Sequence, residues 1–122
     1  MILFRINDVT VNSKKVLATG ELIVGDKSFK AVSGGWGKGA LPVGLYNISI
    51  ARKLDDKGNG SYKKEGFPWF ASIMPMFDTD RTAFGIHPDG GEFFGTLGCI
   101  GIEEGDLELF TLLNKSDMLK VI

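Results

Sequence analysis

Hydrophobic and polar residues alternate through much of the first half of the chain, the period-two signature of strands that bury one face. Ile2, Phe4 and Ile6 share a face across Leu3 and Arg5, and Asn7-Asp8 predicts a turn before Val9-Thr10-Val11. The stretch from Asn12 to Lys15 predicts a second turn. Lys15 to Val24 is apolar and β-branched apart from Gly20, and Gly25-Asp26-Lys27 predicts a turn into Ser28 to Val32. After Pro42, the run Leu45 to Ala51 reads as a strand with Tyr46, Ile48 and Ile50 on one face. Phe67 to Phe77 is rich in aromatic residues and methionine, and Pro68 and Pro75 predict an edge or irregular strand there. Arg81 to His87 alternates clearly again. Thr82, Phe84 and Ile86 face one way; Arg81, Ala83, Gly85 and His87 face the other, where small neighbours leave room for a ligand beside the imidazole.

Helical periodicity is confined to the C-terminal part. Asp106 is the expected N-cap of a helix over Leu107 to Asn114, with Leu109 and Leu113 four apart, Leu107 and Phe110 three apart, and Lys115 at the negative end of the dipole. Met118 to Ile122 then reads as a closing strand. The expected fold is a mainly β single domain spanning residues 1–122 with one late helix.

Composition removes several classes of function. The net charge is −1 over 122 residues, so no electrostatic footprint for nucleic acid or an anionic membrane is present. No segment approaches the roughly 20 apolar residues that span a bilayer. The N-terminal residues have neither the basic start nor the cleavage site of a secretory signal, which predicts a chain made in the cytoplasm and dependent on other machinery for export. Ser33-Gly-Gly-Trp-Gly-Lys-Gly39 lacks the spacing and Lys-Ser/Thr ending of a phosphate-binding loop. Asp55 to Gly66 is a polar excursion; its Asp55, Asp56 and Asn59 lack the spacing and terminal glutamate of an EF-hand.

Candidate chemistry concentrates in His87-Pro-Asp-Gly-Gly-Glu-Phe-Phe-Gly-Thr-Leu-Gly-Cys99-Ile. The chain has one cysteine and one histidine, so an internal disulfide and a cysteine-based zinc site are both excluded. A thiol becomes a strong nucleophile only as the thiolate, and His87 is the available base. A lone cysteine is also commonly a small buried hydrophobe. Gly95, Gly98 and Gly101 argue for more than a core strand, because glycines permit turns that aim backbone N–H groups at a reacting carbonyl.

The ordered set Ala40-Leu-Pro-Val-Gly-Leu-Tyr-Asn-Ile48, a strand ending in Ile-His87, Gly-Thr-Leu-Gly-Cys99-Ile, a helix and a terminal strand resembles the L,D-transpeptidase catalytic domain of the YkuD type. The resemblance covers most of the chain from about Ser33 onward and is carried by the order of the pieces. Leu97 stands where many members have His, Gly101 where many have Arg, and Pro88 where Gly or Ser follows the histidine. The form of these motifs is closer to small effectors delivered by type VI secretion and to phage-borne branches.

The resemblance implies a β-sandwich of short strands and a cysteine acyl transferase on peptidoglycan stem peptides, acting in the periplasm or cell wall after delivery or lysis. Cys99 is then the nucleophile and His87 the base, with an oxyanion hole from the amides of Gly98, Cys99 and Leu97. Thr96 and Pro88 are supporting residues, Pro88 through its carbonyl. No cofactor or metal is required. Expected partners are stem peptides and, for a delivered effector, export machinery or an immunity protein. Arg81 is a candidate for a substrate carboxylate or for pairing with Asp78 or Asp80, and Trp36 for the substrate groove or the core. Two alternatives stand beside this reading: a lytic hydrolase using the same dyad, and a non-catalytic module that binds cell wall or protein.

Overall fold

The computed structural model of the chain describes residues 1–12, 15–35, 39–81, 83–90, 95–96, 98–113 and 118–122. Nine strands occur in chain order: β1 (Ile2–Asn12), β2 (Lys15–Val24), β3 (Lys27–Gly34), β4 (Gly44–Ile48), β5 (Arg52–Lys53), β6 (Trp69–Pro75), β7 (Phe84–Pro88), β8 (Ile100–Ile102) and β9 (Met118–Val121). One helix, α1 (Asp106–Leu112), precedes β9. The mainly β expectation and the late helix both hold.

The strands form one closed sheet, not the two stacked sheets expected. Following hydrogen-bonded neighbours gives β1, β2, β3, β8, β7, β6, β4 and β9, and β9 returns to β1 in parallel pairing. Closure satisfies edges that a sandwich leaves open. Part of the curvature comes from a feature that sequence patterning reads as a turn. Asn7-Asp8 does not end a strand: β1 runs on to Asn12, and the register to β2 shifts between Ile6 and Asp8, a bulge that bends the pair. Gly20 lies opposite this bulge, where an added Cβ would fall 2.0 Å from the Arg5 carbonyl oxygen. Any larger residue there would force β1 and β2 apart.

Two further patterns resolve differently. Arg52 pairs with Phe70 and Ile48 with Ile73, so β4 and β5 run end to end along β6 with one extra residue between them. That residue reverses the alternation: Ile50 is 67% exposed, while Ala51 is buried. The Phe67–Phe77 region is not an edge, since β6 pairs with β7 on one side and β4 on the other. Its prolines are tolerated because Pro68 precedes the strand and Pro75 ends it.

Inward-facing residues fill the barrel. Phe4, Leu22, Tyr46, Trp69, Ile86 and Ile100 are fully buried, each such side chain contributing roughly 1.5–3 kcal/mol through removal from water. Leu109 and Leu113 of the helical segment join this core, and Phe110 packs edge-on against Phe67 and tilted over Trp69. The helix begins one residue earlier than expected. Gly105, in the left-handed conformation at φ 72°, occupies the N-cap, and Asp106 is the first helical residue with its side chain fully buried. Among the described residues, no helix is long and apolar enough to cross a membrane.

Candidate functional site

Strands β7 and β8 run parallel, with Ile86 beside Ile100 and His87 beside Gly101. Ile86 and Ile100 point into the core, so Gly85, His87 and Gly101 lie on the outer face of the barrel. One step before Ile100, Cys99 continues that register beside Gly85. Thiol and imidazole therefore share one outer face, displaced by a two-residue step. They are not hydrogen-bonded to each other: the Cys99 thiol donates to the Ala83 carbonyl at 3.7 Å.

The small residues around His87 do not leave it open. Phe70, which lies across from His87 when the Ala71–Ile86 register is extended, covers Gly85 so closely that a Cβ there would meet its Cζ at 2.0 Å. The Phe70 ring stacks on the imidazole at 5.9 Å and 11°, and Tyr62 meets it edge-on at 4.5 Å. His87 is consequently only 5% exposed. The period-two pattern contains Phe70 but not its pairing partner, so its role was not legible from sequence. Tyr62 belongs to the Asp55–Gly66 excursion and carried no signal beyond being its single aromatic residue. The excursion is anchored there by Gly90 donating its N–H to the Ser61 carbonyl.

The imidazole has a defined tautomer. A carbonyl can only accept, so the 2.7 Å contact between Nδ1 and the Pro88 oxygen places the proton on Nδ1 and leaves Nε2 as the basic nitrogen. Burial pushes His87 below the ordinary histidine range, opposed by the Pro88 hydrogen bond and the negative charge of Asp89. At neutral pH it is an uncharged base.

Thr96 organises the segment around Gly98 and Cys99. Its Oγ1 donates to the Cys99 carbonyl at 2.6 Å and accepts the N–H groups of Gly34 at 3.0 Å and Gly98 at 3.2 Å. Ser33 adds a second tie, donating to the Gly98 carbonyl and accepting from the Leu41 amide. Gly98 has φ +136°, a conformation that suits glycine, and an added Cβ would lie 2.5 Å from Arg81 Nη2. One of the three expected oxyanion-hole donors is committed elsewhere. The Gly98 amide is engaged by Thr96, Leu97 lies outside the described residues, and the Cys99 amide is the candidate that remains.

Arg81 does not follow the strand alternation, because Ala83 has φ 63° and β7 begins only at Phe84. Its guanidinium binds the Ala40 carbonyl at 2.7 Å and the Gly39 carbonyl at 3.1 Å, and lies over the Phe84 ring at 5.1 Å. Among the described residues it forms no ion pair with Asp78 or Asp80. Trp36, the other candidate substrate contact, lies outside the described residues. Burial pushes the Cys99 thiol above its ordinary range, partly offset by the Gly85 N–H and by the Arg81 charge. The resting thiol is protonated at neutral pH.

Behind His87 lies a carboxyl pair that the sequence did not reveal. Asp89 is buried and binds the Gly95 amide at 3.2 Å. Burial, reinforced by the neighbouring Asp89 carboxylate, raises Glu103 to about 7, while Lys64 opposes the rise with a 3.2 Å contact. Lys64 also donates to the Asp89 backbone carbonyl, so the excursion that carries Tyr62 is tied to the Asp89 main chain and to the Glu103 carboxyl. Among the described residues no group of three or more His, Cys, Asp or Glu side chains is placed to hold a metal ion. Comparison with known proteins finds no family model, no curated protein and no solved structure that matches this chain.

Proposed function

We propose that this protein is a cysteine acyl transferase of L,D-transpeptidase type, with an L,D-transpeptidase-like catalytic domain, acting on peptidoglycan stem peptides. The observation that carries the reading is the common outer face of Cys99 and His87, displaced by two residues on paired strands, with Nε2 left unprotonated by the Nδ1 bond to Pro88. Motif order in the sequence supplies the substrate class. Cys99 Sγ turns from the Ala83 carbonyl toward Nε2, gives up its proton to His87, and attacks the carbonyl of the third stem residue. An S–C bond forms, the C–N bond to the terminal D-alanine breaks, and His87 returns the proton to the departing amine. The thioester then passes to water, to a D-amino acid or to an amine of a second stem, giving carboxypeptidase, exchange or cross-linking activity. The Cys99 amide holds the oxyanion, a donor whose loss typically costs about 2.7–4 kcal/mol in such sites.

Incubation with disaccharide tetrapeptides tests this directly. Tripeptide should accumulate, with exchanged tetrapeptide when a D-amino acid is added, and intact-mass measurement should detect an acyl adduct on Cys99. His87→Ala and Cys99→Ala should each remove nearly all turnover with far-UV circular dichroism unchanged. Cleavage elsewhere in the stem or glycan would make the protein a lytic hydrolase. An accessible Cys99 with no turnover of any muropeptide would make it a binding module.

A further inference from the structure

Arg81 is built into the nucleophile segment without touching the thiol. Both of its terminal nitrogens are held by carbonyls, of Ala40 and Gly39, from the loop that precedes Leu41. Leu41 in turn donates its amide to Ser33, whose hydroxyl holds the Gly98 carbonyl. The same guanidinium lies against Gly98, where the space for a Cβ ends 2.5 Å from Nη2. Carbonyl dipoles orient a cation but do not cancel it, and no carboxylate among the described residues pairs with this one. A full positive charge therefore stands beside the residue that precedes the nucleophile.

We propose that Arg81 is a positioning residue for the acyl-transfer site, locking the Gly39–Ala40 loop against Gly98 and supplying the positive charge that favours the Cys99 thiolate over the thiol. The inference rests on the acyl-transfer reading for its purpose and on contacts independent of that reading for its mechanism. A cation close to a half-buried thiol stabilises the anion without a proton transfer of its own. The Arg81 charge favours the thiolate of Cys99, against the larger opposing effect of burial. Two of its five guanidinium N–H groups are held by backbone carbonyls, which fixes Arg81 in place to orient and charge the site.

The test is the pH profile of Cys99 alkylation by iodoacetamide, which needs no muropeptide. Arg81→Gln should slow alkylation about tenfold at pH 7.5, the effect of removing an adjacent unit charge, while the plateau rate at high pH stays at the wild-type value. Arg81→Lys keeps the charge and loses the two-pronged grip on the loop. It should melt at lower temperature yet keep the wild-type pH profile. A profile for Arg81→Gln that superimposes on wild type overturns the proposal, as does an upward shift of Arg81→Lys equal to that of Arg81→Gln, which would leave only a structural clasp. Should Arg81→Gln fail to fold, the Arg81→Lys profile alone decides: unchanged supports the charge role, shifted upward rejects it. Failure of muropeptide turnover in the wild-type protein with an Arg81-dependent profile would remove the acyl-transfer reading and leave this assignment standing.

Discussion

Removing the Phe70 ring isolates the physical cause of the His87 environment. Phe70 is half-buried, stacks on the imidazole, meets Tyr62 edge-on at 5.7 Å and fills the space above Gly85. Complete loss of a core phenylalanine costs about 3–5 kcal/mol. A half-buried ring that still makes two aromatic contacts should cost about 2 kcal/mol. In a domain of this size that is a fall in melting temperature of about 5–10 °C.

The second consequence is electrostatic and more discriminating. Burial is the leading cause that holds His87 below its ordinary range, so Phe70→Ala should let its pKa climb toward about 6.5, the value of a free side chain. Since the chain has a single histidine, its imidazole proton resonances titrate without overlap in an NMR series from pH 4 to 8. Linkage fixes the sign of the accompanying stability change. A histidine depressed in the folded state favours folding while neutral, above about 6.5, and that contribution is lost as pH falls through the depressed folded value. Phe70→Ala should therefore lose less stability on acidification than wild type does. An unchanged His87 titration in a folded Phe70→Ala protein would refute the argument that the aromatic cover sets the base.

Thr96→Val keeps the shape of the side chain but orphans the Gly34 and Gly98 amides and the Cys99 carbonyl; at about 1–3 kcal/mol for each unsatisfied buried group, urea unfolding should show a loss of at least about 3 kcal/mol. A loss under about 1 kcal/mol would mean that the segment is held by other bonds. Glu103→Gln should act in a pH-dependent way. The folded protein raises Glu103 to about 7, so wild type binds an extra proton between the ordinary carboxylate range and that value and loses stability as pH rises through it. The variant should accordingly gain on wild type between pH 5 and pH 8 in thermal melts, and a constant difference across that range would show that Glu103 does not titrate there.

The strand faces were legible because alternation is a local property: Phe84 and Ile86 point inward and Gly85 and His87 outward, as their spacing requires. Closure was not legible. Whether eight strands form a barrel or a sandwich depends on which edges meet, and the parallel pairing of Ile2 with Leu119 joins opposite ends of the chain. Bulges were misread for a related reason. Asn7-Asp8 has turn chemistry, yet the partner strand continues past it, and only Gly20 on that partner marks the close approach. In the site, the sequence singled out Cys99 and His87 because each residue type occurs once. It could not identify what covers them, since Phe70 reaches His87 through strand pairing and Tyr62 through the folding back of a polar excursion.

These covers determine how the site would have to work. Burial disfavours both the imidazolium and the thiolate, and the two groups are not in contact, so neither charge stabilises the other in the resting protein. Under the acyl-transfer reading, the ion pair arises only after Sγ leaves the Ala83 carbonyl and approaches Nε2. Closing that gap falls to the thiol, because the imidazole is held by Pro88 and two rings. The base is the fixed partner and the thiol the movable one. Arg81 fits this division, because its charge acts on the mobile group from a position clamped to the backbone, lowering the cost of the thiolate during transit. A neutral resting pair also protects an isolated thiol from oxidation, since reactivity follows thiolate content.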